Sequence, residues 1–204
     1  MRRVRLRHPA VLGAHVHAGA GACAHDPRTV VDVGAEDGWM AEAYASQVGA
    51  TVLVDLDPAM LERARARALP RTQTVVGDAR GPVPLPPGSA DVVVLSAVLE
   101  HLVDPATALS AWAPVLAPGG RFVVYVPADR PILAAKRVLR ATRLGGLVKG
   151  VSLAPAPGHV RTFDRSSLVR LLKPFGVLEE VVFDPAVLGY AAVVRSSSPR
   201  RGAP

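Results

Sequence analysis

Cysteine is nearly absent. Cys23 stands alone, which excludes an intrachain disulfide and agrees with a reducing compartment. Aromatic residues make up only 4% of the chain against 50% hydrophobic residues overall, so a core has to be assembled from Val, Leu and Ala. No uninterrupted apolar run reaches the roughly 18 residues that a bilayer span needs. The opening Arg2, Arg3, Arg5 and Arg7 are followed by His8, Pro9, His15 and His17 rather than by an apolar block and a small-residue cleavage site, so a cytoplasmic protein is expected. Lysine is scarce beside arginine, and the formal charge is +7 with a pI near 10.5. That charge is dispersed and not interleaved with aromatics, so it reads as GC-rich codon usage on a solvated surface, and no nucleic-acid partner is expected.

The 204 residues suit one domain, expected over 1–195 with a disordered tail at 196–204. Within it, short apolar runs alternate with helical composition. Thr29–Val33, Thr51–Asp55, Thr72–Val76, Asp91–Ser96 and Arg121–Pro127 read as strands. The fourth is apolar throughout, as a strand covered on both faces is. Trp39–Gln47 and Pro58–Leu69 read as helices, the second with Asp57 as N-cap and Pro58 at its first position. Asp104–Ala113 follows the same pattern, capped by Asp104. Gly77–Ala90 is Pro/Gly-rich and reads as a loop. Further on, Pro131–Arg143 reads as a basic helix and Leu144–Thr162 as irregular. Asp164–Lys173 reads as a helix capped by Asp164, and Val177–Phe183 with Leu188–Arg195 as an antiparallel hairpin. The expected fold is a Rossmann-like α/β domain: a seven-stranded, mostly parallel sheet, helices on both faces, the last strand antiparallel.

The chemistry concentrates where the first strand ends. Asp32-Val33-Gly34-Ala35-Glu36-Asp37-Gly38 runs from strand into a glycine turn, where backbone can approach a ligand closely. A helix N-terminus after that turn would offer N–H groups to a phosphate or carboxylate. Two glycines after a strand are also ordinary turn chemistry. Asp55 sharpens the reading: an acid about 20 residues beyond such a turn can accept both ribose hydroxyls, and Asp57 fills the capping role that would otherwise explain it.

Residues 30–127 resemble the class I S-adenosylmethionine (SAM)-dependent methyltransferases, in the broad group that includes the ubiquinone- and menaquinone-biosynthesis enzymes. VVDVGAEDG resembles the first motif of that family, and VLVDLDPAMLERARAR its second segment. VVGDAR, VPLPPGSADVVVLSAVLEHLVDP and LAPGGRFVVYVP are similar to the later ones, in the right order and spacing. The resemblance implies SAM as cofactor, held by Asp32, Gly34, Ala35, Glu36 and Gly38 at the turn. Asp55 with Leu56 would then lie at the ribose, Asp78 with Ala79 at the adenine, and Ser96 at the end of the fourth strand. It implies methyl transfer to an oxygen, nitrogen or carbon of a small-molecule acceptor, with the acceptor side built from 128–163. Glu36 departs from the family's middle glycine. A repulsion of about 1–2 kcal/mol between its carboxylate and that of the cofactor would weaken binding roughly tenfold.

Methyl transfer needs a base only where the acceptor must lose a proton. His101 in Glu100-His101-Leu102 is the best-placed candidate, with Glu100 and His159 as further catalytic candidates; a histidine at a helix start is as readily satisfied by local backbone. Tyr125, His159 and Arg161 are the candidate acceptor-binding residues, Arg161 through a bidentate contact with an anion. Residues 1–27 read as a lid or cap. His8, His15, His17, Cys23 and His25 crowd this segment, but their spacing fits no paired-ligand pattern, and no metal is expected. Basic residues among apolar ones over Arg130–Lys149 fit a solvated helix covering the sheet, or an interfacial helix approaching a lipid-linked acceptor. Two other classes compete. One is a non-catalytic methyltransferase-like binding or scaffold protein, favoured by Glu36. The other is a nicotinamide-dependent oxidoreductase, whose three-glycine fingerprint the turn lacks. The Asn/Asp-Pro-Pro-aromatic signature of nucleobase methylation is also missing, Ser96-Ala97-Val98-Leu99 standing in its place.

Overall fold

The alternation of apolar runs and capped helices becomes a single open sheet. The computed structural model describes residues 29–129, 158–184 and 188–197, together with 133, 134, 137, 138 and 141. Its strands are β1 (Thr29–Val33), β2 (Ala50–Asp55), β3 (Thr72–Val76), β4 (Ala90–Ser96), β5 (Leu116–Pro127), β6 (Gly176–Asp184) and β7 (Gly189–Ser196). They lie in the order β3-β2-β1-β4-β5-β7-β6. The first five pair in parallel, and β7 runs antiparallel to both β5 and β6. The expected seven-stranded Rossmann-like sheet is therefore present. The chain turns outward in opposite directions from β1 and β4, and that reversal opens a crevice at their carboxyl ends.

Among the described residues, three α-helices with complete bounds flank the sheet: α1 (Pro58–Ala66), α2 (Pro105–Trp112) and α3 (Arg165–Leu172). Each begins where an aspartate caps it. Asp57 accepts from the Ala59 amide at 2.8 Å, Asp104 from Ala106 at 3.1 Å, and Asp164 from Ser167 at 2.7 Å. Proline follows directly in the first two, where its missing N–H costs nothing. Alternation along β4 splits the core into two layers. Val93 and Leu95 join Leu109, Trp112 and Leu168 on the face covered by α2 and α3. Val92 and Val94 join Leu53, Leu61 and Tyr44 on the other. Trp112 is fully buried and donates its indole N–H to the Ala79 carbonyl at 2.9 Å, tying α2 to the loop after β3. Trp112→Phe keeps most of the apolar volume and removes that donor. The expected cost is about 1–2 kcal/mol, read as a lower urea midpoint at unchanged slope.

One expected element does not form. Trp39–Gln47 is not an α-helix but two short 3-10 turns, Ala41–Ala43 and Ala45–Gln47. Between them Tyr44 leaves helical geometry at φ −136°, and its hydroxyl donates to Asp32 Oδ2 at 2.5 Å beneath β1. A buried tether outweighs the modest helical preference of Ala, Glu and Gln. Arg67 fastens the same segment from outside, donating to the Asp37 carbonyl at 2.5 Å, to Asp37 Oδ2 at 2.7 Å and to the Glu42 carboxylate. Among the described residues no helix is long and apolar enough to cross a membrane. The expected lid at 1–27 and most of the basic stretch at 130–149 lie outside the described residues, as does the expected tail at 196–204 beyond residue 197; Ser196 is the buried last residue of β7.

Candidate functional site

A cavity of about 860 Å³ opens at the carboxyl ends of β1, β2, β3 and β4. Its floor is the glycine turn. Gly34 has φ +73°, and a Cβ there would stand 2.5 Å from Val98 Cγ2, so a side chain at this position would have to displace the wall contributed by the segment after β4. Gly38, at φ +74°, lies under Leu53 in the same way, a Cβ meeting its Cδ1 at 3.0 Å. Glu36 between them also has positive φ, +48°, a conformation that strains any residue with a Cβ. The turn's amides are largely used internally: Gly34 and Ala35 donate to the Val54 carbonyl at 2.8 and 3.0 Å, and Gly38 to the Ala35 carbonyl at 2.9 Å. With no α-helix behind it, the turn lacks the helix N-terminus that the sequence suggested.

Asp55 crosses from β2 into this floor. Its Oδ2 accepts from the Glu36 amide at 2.8 Å and its Oδ1 from the Asp57 amide at 2.9 Å. A carboxylate offers about four lone-pair sites, so the two amides fix its orientation and leave acceptor capacity for a ligand. Beneath the turn, Asp32 is buried; burial pushes its carboxyl up to about 7, the Tyr44 hydrogen bond opposing and the charge of Asp55 adding. On the β3 side Asp78 is bridged by Arg80, whose Nη2 donates at 2.6 Å, and this bond holds the carboxyl below the ordinary range.

Behind His101, beyond the cavity lining, a second set of groups gathers. Glu100 is fully buried, and neither carboxylate oxygen has a hydrogen-bond partner; burial raises its pKa. His101 lines the cavity and its Nδ1 lies 2.9 Å from the Gly158 carbonyl. His159 Nδ1 lies 2.9 Å from Asp129 Oδ2. The two imidazoles meet edge to face at 5.1 Å. The segment carrying His159 is pinned here by its neighbours, the amides of Val160 and Arg161 donating to the Glu100 carbonyl at 2.9 and 3.1 Å. Tyr125, buried on β5, has its hydroxyl pKa raised by burial and by the charges of Asp184, Glu100 and Asp129.

The profile of the methyltransferase domain family matches residues 31–124, which hold every wall of the cavity. A probable S-adenosylmethionine-dependent methyltransferase of Mycolicibacterium smegmatis is 36% identical over 121 residues, 59% of this chain and 44% of that protein. The trans-aconitate 2-methyltransferase of Methylobacterium radiotolerans is 36% identical over 122 residues, 59% and 45% of the two chains. Residues 31–124 belong to the class I SAM-dependent methyltransferases. The chain spans under half the length of these two curated relatives. The fold is shared with the Burkholderia thailandensis 1,6-didemethyltoxoflavin-N1-methyltransferase, solved with 1,6-didemethyltoxoflavin and S-adenosylhomocysteine. That likeness has a TM-score of 0.68 at 19% identity, over 95% of this chain and 80% of that one.

In this methyltransferase domain, Gly34, Glu36, Asp55, Leu56, Asp78, Ala79 and His101 line the cavity. Asp32, Ala35 and Gly38 support its floor from β1 and the turn. Ser96 ends β4. Glu100, Tyr125 and His159 sit in the second cluster, and Arg161 donates to the Val103 carbonyl. Sequence reasoning did not single out Met60 and Arg63, which line the cavity from α1; their i, i+3 spacing on one helix face was a usable signal. It also missed Asp129 and Tyr44, whose partners are 30 and 12 residues away and leave no local trace.

The positive φ at Glu36 explains why a glycine suits this position. Glu36→Gly is expected to stabilise the domain by about 1 kcal/mol through relief of the left-handed strain. It should also tighten S-adenosylhomocysteine binding severalfold by removing a carboxylate from the cavity floor. Thermal melting and calorimetry on the same preparation check both.

Proposed function

We propose that the chain binds SAM in this cavity and transfers its methyl group to a small-molecule acceptor. The observation that carries the reading is the Asp55 carboxylate, held by two backbone amides at the mouth of a glycine turn with acceptor capacity to spare. The residues present fit the group: a roughly 860 Å³ space, a floor where Gly34 admits close approach, and an acid placed to take two ribose hydroxyls. Asp55 and Leu56 would hold the ribose, and Gly34, Ala35, Glu36 and Gly38 would shape the floor above Asp32. Asp78 and Ala79 would meet the adenine once Arg80 swings from the Asp78 carboxylate, and Ser96 would close the space from β4. When bound, SAM supplies an electrophilic methyl on a sulfonium, so the protein's task is alignment and exclusion of water. His101, with Glu100 and His159 behind it, is placed to receive a proton from an acceptor that must lose one. Tyr125, His159 and Arg161 would border the acceptor.

Calorimetry with SAM and S-adenosylhomocysteine tests this. Saturable binding of both is expected. Binding of neither would hand the case to a non-catalytic scaffold, the reading that Glu36 favours. An anionic acceptor would need a cation facing it, and the Arg161 guanidinium is engaged with the Val103 carbonyl.

A further inference from the structure

The groups behind His101 have a hydrogen-bond balance of their own. The partner of His101 Nδ1 is the Gly158 carbonyl, which can only accept, so Nδ1 carries the proton. The partner of His159 Nδ1 is the Asp129 carboxylate, so Nδ1 carries the proton there too. In the neutral rings this leaves Nε2 of each histidine as a lone pair. Glu100 adds a carboxylate with no hydrogen-bond partner, fully buried. One ligand-type atom from each of Glu100, His101 and His159 lies within 4.8 Å of the others. Three side chains that each carry an acceptor therefore converge, in surroundings where an unmatched polar group is costly. Three carboxylates, those of Glu100, Asp129 and Asp184, act on the nearby Tyr125 hydroxyl.

We propose that this cluster is the acceptor subsite and that it takes a primary amine, bound as its ammonium, making the domain an N-methyltransferase for a cationic small molecule. The proposal rests on the methyl-transfer reading above and names its substrate class. An ammonium carries three N–H donors, and acceptors about 2.9 Å from a tetrahedral nitrogen stand roughly 4.7 Å apart, inside the 4.8 Å within which the three groups lie. An arriving ammonium favours the ionised form of Glu100 that burial alone disfavours, and Asp129 fixes the tautomer of His159 as a positioning residue. One ammonium proton passes to an imidazole Nε2. The nitrogen lone pair then forms the N–C bond to the methyl carbon as the C–S bond breaks and its electron pair stays on sulfur. The product leaves as a methylammonium.

The test uses the full chain saturated with S-adenosylhomocysteine and titrated with benzylammonium, benzyl alcohol and benzoate, which share a shape and differ in charge. The readout is the ring C–H NMR signals of His101 and His159. Benzylammonium is expected to shift both saturably, with a Kd at least tenfold below that of benzyl alcohol, and benzoate to leave them unmoved. Glu100→Gln, near-isosteric and checked by its melt, should weaken benzylammonium at least tenfold without altering S-adenosylhomocysteine affinity. Asp129→Asn gives a second variant if Glu100→Gln does not fold, and should weaken benzylammonium severalfold. Equal or tighter binding of the alcohol or benzoate would overturn the proposal. So would signals that move only when Zn²⁺ is added, since the same donors would then be metal ligands. Loss of S-adenosylhomocysteine binding in the wild-type chain would instead strike the methyl-transfer reading itself.

Discussion

Asp55→Ala is expected to lower affinity for S-adenosylhomocysteine by at least a hundredfold. Two ribose hydroxyls donating to a carboxylate contribute about 1.5 kcal/mol each, and some 3 kcal/mol is a factor of about a hundred. A second loss adds to this. The amides of Glu36 and Asp57 donate to the two oxygens of Asp55 at 2.8 and 2.9 Å, so truncation removes the acceptor that holds the turn and the entry to α1 in register. Asp55→Asn separates the two contributions. It keeps one carbonyl oxygen for one amide and one hydroxyl, and a loss nearer tenfold is expected. Calorimetry measures both variants, and a cooperative melt for each shows that the fold is intact. An Asp55→Ala protein that binds as tightly as wild type would mean that this carboxylate does not hold the ribose, and the cavity would then have to be read for some other ligand.

Much of the scaffold was legible because it rests on local rules. The unbroken apolar run of β4 announced a strand covered on both faces. Asp57, Asp104 and Asp164, each before helical composition, located α1, α2 and α3 at their caps. The glycine turn and Asp55 were legible for the same reason, since a strand, a turn and a capped helix fix their relative places. What local pattern cannot report is which distant group a side chain meets. Tyr44 looked like a residue within a helix, and its hydroxyl's bond to Asp32 broke that helix in two. His101 and His159 stood 58 positions apart in the sequence, and only the return of the 158–161 backbone onto the Glu100 carbonyl brings their rings together. Glu36 was legible as a departure, but the chemistry expected from it was charge. The structure adds a conformational reason for glycine there: positive φ.

Asp32→Asn is expected to flatten the stability profile between pH 4 and pH 7. The folded Asp32 carboxyl is pushed up to about 7 from 3.8, chiefly by burial. Between those values the native state keeps a proton that the unfolded chain has released. Stability therefore falls as pH rises across that window, by about 1.4 kcal/mol per unit, or roughly 4 kcal/mol in all, and levels off above pH 7. Asparagine cannot ionise, and its amide oxygen still accepts from the Tyr44 hydroxyl. The variant should lie close to wild type near pH 4 and exceed it by several kcal/mol at pH 8 in urea denaturation. Parallel profiles for the two proteins would show that Asp32 is ionised throughout and that another group compensates its burial. The charge of Asp55 is a contributor to the raised value, so Asp55→Ala should move the levelling-off to lower pH. A shift of that sign would place the two carboxylates in one electrostatic unit: a buried acid under the turn, and an exposed one whose charge the buried acid senses. A ligand cation that neutralised the Asp55 charge would lower the Asp32 value in the same direction, and calorimetry in buffers of different ionisation enthalpy would detect the proton released.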